Sequence, residues 1–416
     1  MNKTELLALI ENGENSGIEF KRDYLHPEQL AKEIVALANF NGGKILIGVD
    51  DDGIISGIQR DNLEEWVFDT IFEKVHPMII PSYEEIPIDE QTRVAVITVG
   101  QGTTKPYVMR DRRRENIYIR VGTTSRLASR EQQARLYALG GMVHAELLPV
   151  SGSGLADLSQ DRLKHYLISI VEDKEPPIEQ NEWNKRLQGL GFMHESDGHT
   201  HSPLCTIAGL VLFGHTPRRL QRQGGIRWMA FPGKEKDYGA LDDQIVDGPL
   251  VALLNNFDEG KTILENGLFE NLVKLIRPFL SEEKKEIDAS MRRERHWFYP
   301  VEAIREALVN AVAHRDWTRN EGIEVVSYSN RLEIISPGSL PNSMTVEKMI
   351  AGQRSARNQL IVEVLRDYGY VDARGMGIRN KIIPLTRAYN GREPEFHVTE
   401  DYVKVVFHKG DISRDG

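Results

Sequence analysis

Glu306 and Asn310 stand four residues apart in PVEAIREALVNAVAHRD, residues 300–316, so a helix there presents both on one face. A carboxylate and an amide at that spacing suit a magnesium-bound nucleotide. The Asn310 oxygen can coordinate the hard cation, and Glu306 can orient or deprotonate a water. Alone, the pair also fits a solvated helix face. Two glycine features downstream add to it. Arg331 to Ile335 alternates as a strand and runs into Ser336-Pro337-Gly338. Gly375 and Gly377 then precede a helical run from Arg379, which Pro384 would kink or end. Glycines let a backbone approach phosphate, and N–H groups at a helix start favour anions.

A second set of reactive residue types lies near the N-terminus. Glu14, Glu19 and Asp50 could gather around a divalent ion, magnesium or manganese, with Lys21 near a scissile phosphate. That is the logic of metal-assisted phosphodiester cleavage. The alternatives are a polar turn at Asp50 to Asp52 and a strand-face ion pair between Glu19 and Lys21. Lys105, Arg110, Arg112, Arg113, Arg114, Arg120 and Arg126, with Tyr107 and Tyr118 interleaved, could track a phosphate backbone with salt-sensitive affinity. A solvated, charged loop is the plainer account. Arg218, Arg219, Arg222 and Arg227 form a second basic cluster. His194, His199, His201 and Cys205 lie close together, but their spacing fits no common zinc finger. No G-x-x-x-x-G-K-[ST] string occurs, which disfavours a P-loop engine.

The elements that position these residues point to an α+β fold class. With a formal net charge of -10 over 416 residues, any nucleic-acid surface must be a local patch on an acidic body. One cysteine excludes an intrachain disulfide, and no run of about 18 apolar residues occurs, so a cytoplasmic protein without a membrane span is expected. Residues 1–140 read as an α+β unit. It has a helix over Glu28 to Asn39, a hairpin from Lys44 to Val49 and Ile54 to Ile58, and strands at Arg93 to Val99 and Asn116 to Val121. Val143 to Leu158 is the linker candidate. Residues 141–296 read as a mainly helical, winged-helix-like middle region with β-like stretches at Leu204 to Phe213 and Gly225 to Phe231. The last domain spans 297–408, and 409–416 is a tail.

The order of a helix with E-x-x-x-N, a strand with a glycine turn, and G-x-G opening a helix resembles the GHKL, or Bergerat-fold, ATPases. The narrower resemblance is to the RecG-like ATP-binding domain at the C-terminus of many bacterial proteins described as transcriptional regulators. REALVNAVAHRDW, RLEIISPGSLP, SARN and GYVDARGMGI carry it in order. The resemblance implies an α/β sandwich that binds ATP, with Glu306 activating water and Asn310 holding magnesium. Gly338, Gly375 and Gly377 would lie along the nucleotide, and Arg354, Arg357 and Asn358 would sit in a lid-like segment reaching phosphate. Where the wider class has an adenine-binding Asp, this chain has Ser336, which leaves adenine selectivity and hydrolysis open.

At the other end, Glu14 to Lys21, FNGGKILIGVDDDGIISGI, Lys105-Pro106-Tyr107 and YIRVGTTSRLASREQ resemble the Schlafen AlbA-type domain. That implies a nucleic-acid-binding α/β domain, and in the ribonuclease members acidic residues at these motif positions are catalytic. The expected whole is an ATP-binding, nucleotide-gated protein that contacts DNA or RNA and forms a homo-oligomer. The alternatives are an ATP-regulated, metal-dependent RNase or DNase, and an ATP-dependent assembly scaffold.

Overall fold

The computed structural model describes residues 1–102, 104–112, 114–140, 144–194, 202–255, 262–287, 293–341, 344–353, 355–371 and 377–410. The chain forms two compact units, Met1–Val143 and His144–Gly416. Among the described residues no helix is long and apolar enough to cross a membrane.

The first unit is built on a four-stranded sheet in the order β1 (Ile18–Lys21), β2 (Gly43–Ile47), β4 (Arg93–Val99), β3 (Ser82–Pro87). The β1–β2 pair is parallel and the others antiparallel. Strand side chains alternate between faces, and here both faces are covered. Leu46, Val94 and Val96 meet Leu6 and Ile10 of helix α1 (Lys3–Glu11). Ile45, Ile47, Ala95 and Ile97 meet helices α2 (Pro27–Asn39) and α3 (Leu63–Lys74). Double burial explains the continuous apolar run at Ile45–Ile47. Asn39, at the end of α2, is buried and binds the chain on both sides: its Nδ2 donates to the Tyr107 and Tyr118 carbonyls, and its Oδ1 accepts from the Tyr107 amide. Gly42 turns with φ +80, and any Cβ there would meet the Val99 carbonyl oxygen at 2.6 Å. The expected hairpin after β2 is reduced to one bridge, Val49 with Ile55, and Ile54 to Ile58 is not a strand.

The second unit carries a six-stranded sheet. Its strands are β5 (Ile226–Ala230), β6 (Asp242–Val246), β7 (Ile323–Ser327), β8 (Arg331–Pro337), β9 (Glu395–Val398) and β10 (Tyr402–His408), in the order β6-β5-β7-β8-β10-β9. Only β5–β7 is parallel. The pairing of β5 with β7 crosses the expected boundary at 296. The middle stretch is therefore part of the same layered body, because Ile226 and Trp228 share a core with Ala303, Ala307, Val325 and Ile334. The linker candidate is corrected in the same way: Ala145, Val150, Leu155 and Leu158 are buried in that core. Ile207–Phe213, expected to be β-like, is a helix with all seven residues buried, capped by the Thr206 hydroxyl. A short apolar run carries no period that separates the two states.

Candidate functional site

Helix α4 (Val301–His314) lies against the sheet through Ala303, Ile304, Ala307 and Leu308, with Pro300 at its N-cap. The residues on its other flank border a cavity of about 240 Å³. Glu306, Asn310 and His314 line it from α4, Ser336, Gly338 and Ser339 from the end of β8, and Gly377 and Arg379 from the following helical segment. Asn310 Nδ2 donates to Glu306 Oε1 at 3.4 Å, which leaves the Asn310 oxygen for a cation. Glu306 is 4% exposed. Gly377 packs directly on its carboxylate, and an added Cβ would overlap Oε1. The chain from Gly377 passes into a π-turn over Ile378–Ile382 and then helix α5 (Ile383–Asn390), which Pro384 enters in the first turn and does not end.

Several residues expected to touch ligand instead build the wall. Asn358 is 0% exposed, and its Nδ2 donates to the Ala313 and Arg315 carbonyls, satisfying the open C-terminal end of α4. Arg357 donates to the Ser339 carbonyl at 2.6 Å and pairs with Asp316 at 3.1 Å. Asn358 is closed off from the surface by these bonds, and Arg357 is tied to Asp316 and to the Ser339 carbonyl. Gly338, at φ +102, is required by this clamp: a Cβ would run into Asp316 and Arg357. Ser336 lines the cavity, but its hydroxyl donates to the Ala311 carbonyl at 2.7 Å. Arg315, 1% exposed, donates to the carbonyls of Gln223, Arg319 and Glu321 and stacks on Trp317 at 4.2 Å. Gly375 and Arg354 lie outside the described residues.

Among the cavity residues that spacing did not single out are His314, Arg366 and Arg379. Arg379 was legible as the second residue after the glycine pair, where a helix start and a cation together favour an anion. Arg366 carries no local signal and reaches the cavity only through helix packing.

In the first unit the acidic residues meet cations. Glu19 is bound by Lys21 on its own strand and by Arg120 Nη1 at 2.6 Å. Arg120 also meets Glu33 at 3.1 Å and donates to the Asn15 carbonyl. Glu14 accepts from the Phe20 amide, and burial pushes its carboxyl pKa up. Asp50 faces Arg22 at 2.5 Å and Ser56. Among the described residues no three His, Cys, Asp or Glu side chains converge for a metal. Glu14, Glu19 and Asp50 are therefore not gathered into one ligand set.

Two family models match the chain: Schlafen, AlbA_2 over residues 14–129, and "Putative ATP-dependent DNA helicase recG C-terminal" over residues 320–407. The chain carries both domains. The pairing is that of a nucleotide-binding, nucleic-acid-related protein. Glu306 and Asn310 precede the recG match and join it by the packing of α4. The DIP2311 protein from Corynebacterium diphtheriae is similar over 95% of this chain and 65% of its own, at 19% identity and TM-score 0.42. The chain thus spans less than two thirds of that protein's length. The N-terminal domain of a RecG-related protein from Nitrosomonas europaea is similar over 31% of this chain and 93% of its own, at 20% identity and TM-score 0.25. No curated protein matches.

Within the AlbA_2 domain the basic residues divide. The Arg120 side chain is 0% exposed, and Lys105 is 6% exposed, donating to the Phe40 carbonyl. Both are corrected from surface contacts to internal ties. Arg110, Arg112, Arg114 and Arg126 are exposed, with Arg112 at the turn between strands Val108–Asp111 and Arg114–Asn116. Arg113 lies outside the described residues. Cys205, in the second unit, is buried, which pushes its thiol up to about 11 and disfavours a metal-binding thiolate. His199 and His201 lie outside the described residues.

Proposed function

We propose that the second unit binds ATP with magnesium in the cavity beside α4. The first unit then contacts nucleic acid through its exposed arginines, and nucleotide occupancy gates that contact. The observation that carries the reading is the meeting of Glu306, Asn310 and Gly377 on one cavity wall with Arg379 close by in sequence. The oxygen donors fit a hard cation. Magnesium, when bound, neutralises phosphate charge. Asn310 would hold the cation, Arg366 and Arg379 would meet phosphate oxygens, and Glu306 would orient a water. The ion pairs on Glu19 favour binding over cleavage in the first unit, because a metal would have to displace both Lys21 and Arg120.

Isothermal titration of the full chain with ATP and magnesium tests the site. Binding by the wild type and a loss of about tenfold or more in Asn310→Ala are expected; no binding by the wild type overturns the reading. Fluorescence anisotropy with labelled DNA and RNA, with and without ATP, tests the gating. Exchanging Arg112, Arg114 and Arg126 for Ala should weaken binding and flatten its salt dependence by about one unit of slope per lost phosphate contact. Nucleic-acid affinity indifferent to ATP removes the gating.

A further inference from the structure

The basic cluster of Arg218, Arg219, Arg222 and Arg227 takes no part in the cavity beside α4 and borders another. Strand β8 alternates between the two. Ile334 and Ser336 line the first, whereas Ile335 and Pro337 line a second cavity of about 770 Å³. The floor of the second is the sheet face turned away from the core. Ile245 of β6, Arg227 of β5, Glu324 of β7 and Ile335 of β8 stand directly across from one another on it. Their strand neighbours Ile226, Val325 and Ile334 are buried in the core. A volume between about 300 and 1,000 Å³ suits a small organic ligand rather than a bare ion.

The four arginines are not equivalent. Arg219 pairs with Asp157, and Arg227 with Asp243 at 2.7 Å. Two more charges on the lining are also matched within the chain, Glu324 by Lys236 and Arg319 by Asp401. Arg218 and Arg222 line the cavity, and neither side chain meets a carboxylate among the described residues. Two guanidiniums therefore stand against the one carboxylate of Glu321. The surplus is positive.

Arg218 is also held in place. Its amide donates to Asp247 at 3.3 Å, and its Nε donates to the Arg222 carbonyl at 3.0 Å. The side chain lies against Gly225, where an added Cβ would overlap Arg218 Cδ. With Nε engaged, the two terminal nitrogens remain, and neither has an acceptor among the described residues. A guanidinium is a planar fork that matches two oxygens of a phosphate, and one fixed beforehand loses little freedom on binding.

We propose that this cavity is a second ligand site, which takes a phosphate monoester between Arg218 and Arg222 with its organic body along the floor from Ile245 to Ile335. A monoester carries nearly two negative charges at neutral pH and three terminal oxygens, which suits two guanidiniums; a diester carries one charge. A phosphorylated small molecule and the phosphorylated end of a nucleic-acid strand share this chemistry. The site lies on the opposite face of β8 from the α4 cavity and does not depend on nucleotide there.

Two pairs of probes for the full chain test it and separate the sources: ribose 5-phosphate against ribose by calorimetry, and one oligonucleotide with a 5′-phosphate or a 5′-hydroxyl by anisotropy. The phosphorylated member of at least one pair should bind about tenfold or more tighter, and that pair names the source. Arg218→Ala should remove most of the difference, and Arg218→Lys, which keeps the charge without the fork, should restore only part of it. Arg222→Ala, at an exposed position, should also remove it, and supplies the test if Arg218→Ala does not fold. Asn310→Ala should leave the difference intact. No phosphate-dependent difference in either pair overturns the site, as does a difference that survives both alanine exchanges. A difference abolished by Asn310→Ala would place the phosphate beside α4 and overturn it equally. The magnesium–ATP titration of the wild type stands or falls separately from all of these.

Discussion

The Glu19 cluster of the first unit and the Glu306 cluster of the second draw on similar residue types and end in different states. Glu19 and Glu33 close on Arg120, and the carboxylates, the guanidinium and the Ser125 hydroxyl form one buried network. Glu306 has an amide one turn away and a glycine against it, and it opens on a cavity. A buried charge that meets its counter-charge inside the chain holds structure together. A side chain that borders a cavity lined also by Gly377 and Arg379 stands where a ligand could reach it. The first arrangement is rigid by electrostatics, and the second is shaped by the missing side chain of Gly377.

The comparison can be broken at its strongest point. Arg120→Ala removes the buried cation that Glu19 and Glu33 share, leaving Lys21 on Glu19 and Lys32 on Glu33, and loss of a buried partner costs about 3–5 kcal/mol. Urea denaturation should show a loss of that size for the first unit. A loss under about 1 kcal/mol would mean the cluster is not the tie described. A smaller effect is expected in the second unit from Gly377→Ala, where the new methyl group overlaps the Glu306 carboxylate. Overpacking of that kind costs about 1–3 kcal/mol. ATP affinity should fall about tenfold with the fold retained; unchanged affinity would detach Gly377 from the site.

The last effect concerns pH. His314 has a folded pKa of about 4 against an ordinary 6.5. Between those values the unfolded chain binds a proton that the folded chain refuses. Its contribution is therefore fully present above pH 6.5 and is lost as pH falls toward 4. His314→Phe should remove that part of the acid slope in denaturation measured across the window. An identical slope in the variant would show that the imidazole does not titrate as described.

Much of the local structure was legible. The E-x-x-x-N helix and the strand over Arg93–Val99 appear where period and punctuation place them, and the strand expected over Arg331 to Ile335 runs on to Pro337. The errors share a cause. Lys105, Arg120, Arg357 and Asn358 look like surface groups in a linear reading, but each is buried on a partner far along the chain. Arg120 meets Glu19 across 101 residues, and Asn358 reaches Arg315 across 43. No window of local pattern contains such a partner. The same distance hid the membership of Ile226–Ala230 in the last sheet, since its parallel neighbour begins at Ile323.

The sequence by itself determined which residues could do chemistry at the two ends of the chain, because helical spacing and glycine turns are short-range properties of the backbone. The tertiary structure decided what surrounds each of those residues. Burial charges a penalty to every polar group without a partner, so Arg120 and Glu19 closed on each other inside the first unit. Glu306 and Asn310, on one flank of their helix, came to border a cavity together with His314, which no spacing had marked.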